Sequence, residues 1–297
     1  MAEAKDLPNP DLREPLLELF RRAATDLPAE VEEALAAGRE KEEEGSAARN
    51  ALDVILRNIE LARKKSTPIC QDTGTPVLFV HHPYGWSTSR IEEEVLWAAR
   101  EATKRSYLRP NAVHPITGKN SGDNTGIGYP YLHFHEWDKD EAVFRILLKG
   151  GGSENCGIQY SLPDSGLGAG RDLKGIKKCI LDAVFRAQGY GCAPGILGVG
   201  VGGDRVSSFE ESKLQLFRSL GDRNPDPLLA EMEEELLEKT NRLGIGPMGF
   251  GGRTTVLGVK IGVRHRLPAS FFVSISYFCW AARKKTMTVK NGEVSYD

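Results

Sequence analysis

The chain has 297 residues, room for one large domain or two ordinary ones around a real core, and no apolar run near the ~20 residues of a membrane span. Its 39 basic and 41 acidic residues nearly cancel, which argues against nucleic acid or an anionic membrane as the main partner. Met1-Ala2-Glu3-Ala4-Lys5-Asp6 lacks the apolar stretch of a secretory signal, so a cytoplasmic protein is expected.

Residues 10 to 65 read as helical. Leu16, Leu17, Leu19 and Phe20 begin an amphipathic stripe, Val31 and Leu35 continue it, and Ser46 opens a further helix carrying Leu52, Ile55, Leu56 and Ile59. Lys64-Lys65 suits the end of that helix. Pro68-Ile69-Cys70-Gln71-Asp72-Thr73-Gly74-Thr75-Pro76 follows, with a thiol, an amide, a carboxylate and two hydroxyls side by side between prolines that forbid helix. It leads into Val77-Leu78-Phe79-Val80, a buried strand. Polar chemistry at the mouth of a strand reads as a site or as a polar turn around a structural thiol.

A helix is expected over 90–107, then a polar turn over 120–126. Strands follow over 131–135 and 142–148, the second paired with the first. His133 and His135 share one strand face and read as surface residues, with a metal pair as the alternative. Lys149-Gly150-Gly151-Gly152-Ser153-Glu154-Asn155-Cys156 ends the second strand in glycines, whose bare backbone either approaches an anion or forms a flexible loop. Residues 172–189 return to helix, with Cys179 as a core thiol.

Gly191-Cys192-Ala193-Pro194-Gly195 sets a cysteine in a tight turn before the apolar run 196–203. Gly198, Gly200 and Gly203 fit the spacing of a dinucleotide loop but lie inside that run, and no second β unit presents an acidic ribose ligand. A helix over 227–243, the cluster Gly244 to Gly252, strands over 254–263 and 271–277, and a tail hairpin through Asn291-Gly292 complete a mixed α/β (α+β) chain, read as a single catalytic domain over 1–297 with a helical segment about 1–65.

The five cysteines are an odd number and favour thiol chemistry or metal ligation over disulfides. Cys70, Cys192 and Cys279 each sit at a strand end or tight turn beside glycine or proline. Their separations exclude a zinc ribbon or a bacterial ferredoxin run, yet thiols from distant loops converge in folded enzymes. Three thiolates on a cubane cluster would leave one iron open as a Lewis acid; a zinc enzyme using Cys and His at these loops is the competing reading.

The segments 69–75, 149–155, Cys192-Ala193-Pro194 with Gly198 to Gly203, and Gly246-Pro247-Met248-Gly249-Phe250-Gly251-Gly252 together resemble the iron–sulfur class I fumarate hydratases. More narrowly, they resemble the alpha subunit of the two-subunit fumarate hydratase / L(+)-tartrate dehydratase group. The resemblance covers roughly residues 50–290. It implies the fold of that subunit, with a mixed sheet and flanking helices. It also implies a [4Fe-4S] cluster on Cys70, Cys192 and Cys279, with Cys156 outside the ligand set, and reversible hydration of a small dicarboxylate. Fumarate to L-malate is the first reading and L(+)-tartrate dehydration the second; a non-catalytic cluster scaffold is a third. By the same resemblance Gln71, Asp72, Arg109 and Gly152 contact substrate, and Asp72 moves the proton. A beta subunit, in an α2β2 assembly, would carry the remaining groups. Where that family has a His before its third cysteine this chain has Leu267, with His265 two residues upstream.

Overall fold

The computed structural model describes residues 9–297. In chain order the elements are α1 (Arg13–Thr25), α2 (Ala29–Lys41), α3 (Ala47–Lys65), β1 (Thr75–Pro83), α4 (Thr88–Lys104), β2 (Tyr131–Trp137), β3 (Glu141–Lys149), α5 (Gly151–Asn155) and β4 (Ile158–Ser161). They continue as α6 (Leu173–Ala187), β5 (Gly195–Gly202), α7 (Arg205–Gln215), α8 (Pro227–Asn241), β6 (Val256–Arg264), β7 (Phe272–Phe278), β8 (Lys284–Lys290) and β9 (Glu293–Tyr296). The mixture of helices and mixed sheets is the α/β class expected. No helix among the described residues is long and apolar enough to cross a membrane.

The chain divides into two compact units. The first takes residues 9–28, Asn58–Lys149 and Arg283–Asp297; the second takes Ala29–Arg57 and Gly150–Ala282. In the first, five strands run in the order β2-β1-β3-β8-β9. Leu78, Val80, Phe144, Ile146, Leu148 and Met287 point from one sheet face onto Leu16 and Phe20 of α1 and Ile91 and Val95 of α4, all buried. Each such side chain taken out of water contributes roughly 1.5–3 kcal/mol. Asn291 and Gly292, both at positive φ, close the expected β8–β9 hairpin.

The expected pairing of the 131–135 and 142–148 strands is not what forms. β1 lies between them, parallel to β2 (Val77↔Tyr131) and antiparallel to β3 (Thr75↔Lys149). β1 is buried along almost its whole length and so needs partners on both edges, whereas β2 is only half-buried and suits the rim. The tight turn after Trp137 passes beyond Pro83, and the Trp137 indole N–H donates to the Glu141 carbonyl at 2.7 Å to close it.

The second unit carries the sheet β4-β7-β5-β6, in which β5 runs parallel to β6 and antiparallel to β7. Leu197, Val199 and Val201 of β5 pack with Ile261, Ile275 and Tyr277 against Ile180 and Val184 of α6 and Met232 and Leu236 of α8. The opposite face receives α7 at very close range. A Cβ on Gly198 would stand 2.0 Å from the Ser212 carbonyl, and one on Gly200 2.1 Å from that of Ser208. Ser274 and Ser276 of β7 complete this face through hydroxyl bonds to Ser208 and Ser212 at 2.8 and 2.7 Å. The glycine spacing that resembled a dinucleotide loop therefore serves helix-to-sheet packing in mid-strand. Asp172, Asp204 and Asp226 cap α6, α7 and α8 with side-chain oxygens on backbone N–H groups.

Candidate active site

In the first unit the strap from α3 to β1 is pinned at Ile69, whose N–H donates to the Ala24 carbonyl at 3.0 Å and whose carbonyl accepts from Asn58 at 2.7 Å. With Ile69 buried, the next residue, Cys70, is presented half-buried. Asp72 Oδ1 accepts the Gly74 N–H at 3.1 Å, an Asx turn. Gly74 has φ 81° and lies so close to β3 that a Cβ would meet the Leu148 carbonyl carbon at 2.7 Å, so the turn admits no side chain. The Arg283 guanidinium donates to the Asp72 carbonyl.

Thr73 is buried, and its hydroxyl oxygen accepts from the Arg109 N–H at 3.0 Å and from Asn111 Nδ2 at 3.1 Å. Arg109 Nη1 reaches the Gln71 carbonyl at 3.3 Å, and Asn124 Nδ2 donates to the Arg109 carbonyl at 2.7 Å. Gln71, Asp72 and Arg109 are thus drawn together within one unit by the Thr73 hydroxyl of the motif itself and by Asn111, Asn124 and Arg283, which no motif marks. Gln71 and Arg109 are exposed, with side chains open to a ligand.

In the second unit the glycines after β3 do not form a flexible loop. They wind into the short helix α5, where the Gly150 carbonyl accepts the Glu154 N–H at 2.8 Å. Gly152 is exposed and packs so near the following turn that a Cβ would stand 3.1 Å from the Tyr190 carbonyl. Cys192 is left-handed (φ 53°, ψ 63°), a conformation a side chain adopts only when its surroundings hold it. The Trp280 N–H donates to its carbonyl at 3.1 Å, and the Met248 N–H donates to that of Ala193 at 2.8 Å. Three sequence motifs meet at this turn: the Cys192 loop, the glycine loop 244–252 and the end of β7.

Beneath it lies the Tyr277 ring, 2 % exposed. Cβ atoms on Gly191 and Gly195 would fall within 2.5 and 2.3 Å of that ring, so the residues flanking Cys192-Ala193-Pro194 must be glycine for the turn to seat on it. Burial pushes the Tyr277 phenol far up, helped by the thiols of Cys156, Cys279 and Cys192 nearby. Cys279 itself is buried and directs its Sγ to the Ala281 carbonyl at 3.7 Å. Cys156 is half-buried and lines a cavity of about 420 Å³ with Gly152, Arg186 and Tyr190.

Cys179 is a fully buried core thiol, as expected, and burial pushes it up to about 12. His265 and Leu267 are both exposed in the turn after β6, where Arg266 stacks on Phe271 at 4.3 Å. His133 and His135 are half-buried, not open surface residues, and stack on Phe79 and His81 across the β1–β2 pair.

Among the described residues no group of three or more His, Cys, Asp or Glu side chains is placed to hold a metal ion. The donors at the β7 end are nevertheless of the soft sulfur kind that iron–sulfur clusters and zinc both take. Cys192 and Cys279 offer soft sulfur ligands from backbone joined through the Trp280–Cys192 hydrogen bond.

Comparison with known proteins places these motifs in a family. The family model described as fumarate hydratase (Fumerase) matches residues 13–288. The chain is 49% identical over 276 residues to a protein of Geobacillus stearothermophilus provisionally named fumarate hydratase class I, covering 92% of this chain and 54% of that one. It is 36% identical over 281 residues to a Methanocaldococcus jannaschii protein provisionally named L(+)-tartrate dehydratase subunit alpha, covering 93% and 96%. It is 32% identical over 241 residues to the L(+)-tartrate dehydratase subunit alpha of Escherichia coli K12, covering 79% and 77%. The chain therefore spans about half the length of the Geobacillus relative and nearly all of the Methanocaldococcus one.

Proposed function

We propose a hydro-lyase function for this chain on the premise that it belongs to the fumarate hydratase (Fumerase) family. It is the cluster-bearing subunit of an enzyme that reversibly hydrates a small dicarboxylate, with fumarate and L-malate as the first substrate pair. The observation that carries this reading is the convergence of Gln71, Asp72 and Arg109 through Thr73 on the loop that presents Cys70. Cys70, Cys192 and Cys279 would hold a [4Fe-4S] cluster, which would supply Lewis-acid chemistry at the site. Sulfur donors at two left-handed or strand-end positions support that set.

The chain's own groups do the rest. Arg109, exposed and tethered through its backbone to Thr73, pairs with a substrate carboxylate by its planar fork. Gln71 donates its amide to the same ligand. Gly152 offers a backbone N–H, and its lack of a side chain lets the ligand approach. Asp72, fixed by its turn to Gly74, moves the proton to and from the hydroxyl. A partner subunit supplies the other wall of the site in an α2β2 assembly in the cytoplasm. The half-length match to one relative and the full-length match to a protein named as subunit alpha support the partner subunit. That second match also supports L(+)-tartrate as the alternative substrate.

The test is anaerobic co-expression with the partner subunit, followed by iron analysis and turnover of fumarate, L-malate and both tartrates. A brown complex with about four irons that hydrates fumarate is expected. A colourless, zinc-loaded complex would sink the cluster, and tartrate turnover alone would select the second substrate. Asp72→Asn that left turnover intact would remove Asp72 from the mechanism and favour a scaffold role.

A further inference from the structure

Arg283 is 1 % exposed and is among the largest fully buried side chains of the chain. Its Nη1 donates to the Asp72 carbonyl, and its buried Nε has no hydrogen-bond partner. Among the described residues no carboxylate pairs with it. A guanidinium taken out of water without a counter-charge opposes folding unless something at its position repays it. What lies there is the loop of the proposed site. The Arg283 carbonyl accepts the Leu148 N–H at 2.9 Å, and Gly74 abuts the backbone of Leu148 and Lys149. One short stretch of β3 thus fixes both Arg283 and the Asp72–Gly74 turn.

We propose that Arg283 is a positioning residue for Asp72: by holding the Asp72 carbonyl it fixes the peptide from which the Gln71 and Asp72 side chains diverge. It touches no substrate and acts through the loop. The proposal rests on the hydro-lyase reading for its kinetic consequence and on geometry alone for the anchoring.

The test compares Arg283→Gln and Arg283→Lys with the wild type in the anaerobically assembled complex with its partner subunit. Hydrogen exchange at the amides of residues 70–74 reports the anchoring, and steady-state kinetics with L-malate report the consequence. R283Q is expected to speed exchange at 70–74 at least tenfold and to lower kcat at least tenfold, with KM within threefold. R283K keeps the charge and one donor, and is expected to recover kcat to within about threefold of wild type. Unchanged exchange at 70–74 in R283Q would overturn the anchoring. A kcat within twofold of wild type, with only the thermal midpoint lowered, would reduce Arg283 to a structural residue. If the wild-type complex turned over none of the dicarboxylates, the hydro-lyase reading would fall, while exchange at 70–74 would still decide the anchoring. If R283Q does not fold, Arg283→Met, which removes the donors and the buried charge together, carries the same measurements and thresholds.

Discussion

Gly191 and Gly195 bear the geometry of the Cys192 turn, because the Tyr277 ring occupies the space where their side chains would be. Gly195→Ala drives a methyl to 2.3 Å from Tyr277 Cζ and should cost about 1–3 kcal/mol, read as a lower urea midpoint. Gly221→Ala, whose nearest neighbour stands 4.0 Å away, should stay within about 0.5 kcal/mol and serves as the control. The thiols should separate by reactivity as well. With Cys179 pushed up to about 12, only on the order of one molecule in 10⁴ carries its thiolate at pH 8. Iodoacetamide should therefore leave it unmodified in the folded apo chain while alkylating half-buried Cys70, as mass spectrometry of the peptides would show. Modification of both at equal rates would contradict the burial. At this scale the cysteines were legible because glycine and proline flank them. The clasp of Thr73, Asn111 and Asn124 was not, since hydrogen bonds that bridge 38 residues, as between Asn111 and Thr73, leave no periodic trace. Arg283 escaped for a related reason: a charged side chain in a sequence reads as surface, and only the fold buries it.

The β1–β2 pair puts imidazoles on one face of a sheet, where His81 stacks on His135 at 5.0 Å and tilts against Trp137 at the same distance. Burial first, and then the positive charge of neighbours including Arg145 and Lys139, together lower His81 to about 4. The fold therefore holds His81 neutral where the unfolded chain, at about 6.5, already takes up a proton. Its contribution is complete above pH 6.5, is lost as pH falls toward 4, and changes no more below that. After discounting for solvent around a ring that is not fully enclosed, about 1 kcal/mol is expected. His81→Asn should flatten the urea midpoint between pH 7 and 4.5; an unchanged slope would remove His81 as its source. The element scale also records where the periodic pattern sufficed. The long helices and the Asn291-Gly292 hairpin followed from apolar spacing and turn chemistry, whereas the short glycine-rich α5 did not. Strand order did not, because the short link from β2 to β3 looks like a hairpin until the burial demand of β1 is counted. The mid-strand glycines of β5 were ambiguous for a similar reason. Spacing alone does not say whether a phosphate or the helix α7 needs the room.

Across the whole molecule the chain passes four times between its two units, at residues 28/29, 57/58, 149/150 and 282/283. None of these crossings carries a composition shift, which is why the sequence shows no linker. A fragment of residues 1–149 would keep β1, β2 and β3 but lose β8, leaving the apolar edge of β3 unpaired. It is expected to aggregate on expression, whereas the same fragment joined through a flexible linker to residues 283–297 should stay in solution. Equal solubility of the two would show that β8 does not complete the sheet. The order in which the strands are made then sets a schedule. β3 leaves the ribosome long before β8, and every element of the second unit is synthesised in between, so the sheet begun first is finished last. Arg283, which reaches back to the Asp72 carbonyl, is itself made only after Cys192 and Cys279. A nascent chain stalled before β8 would have all five thiols yet lack the clasp on the Asp72 loop, so the loop that presents Cys70 is held in place only once Arg283 has been made.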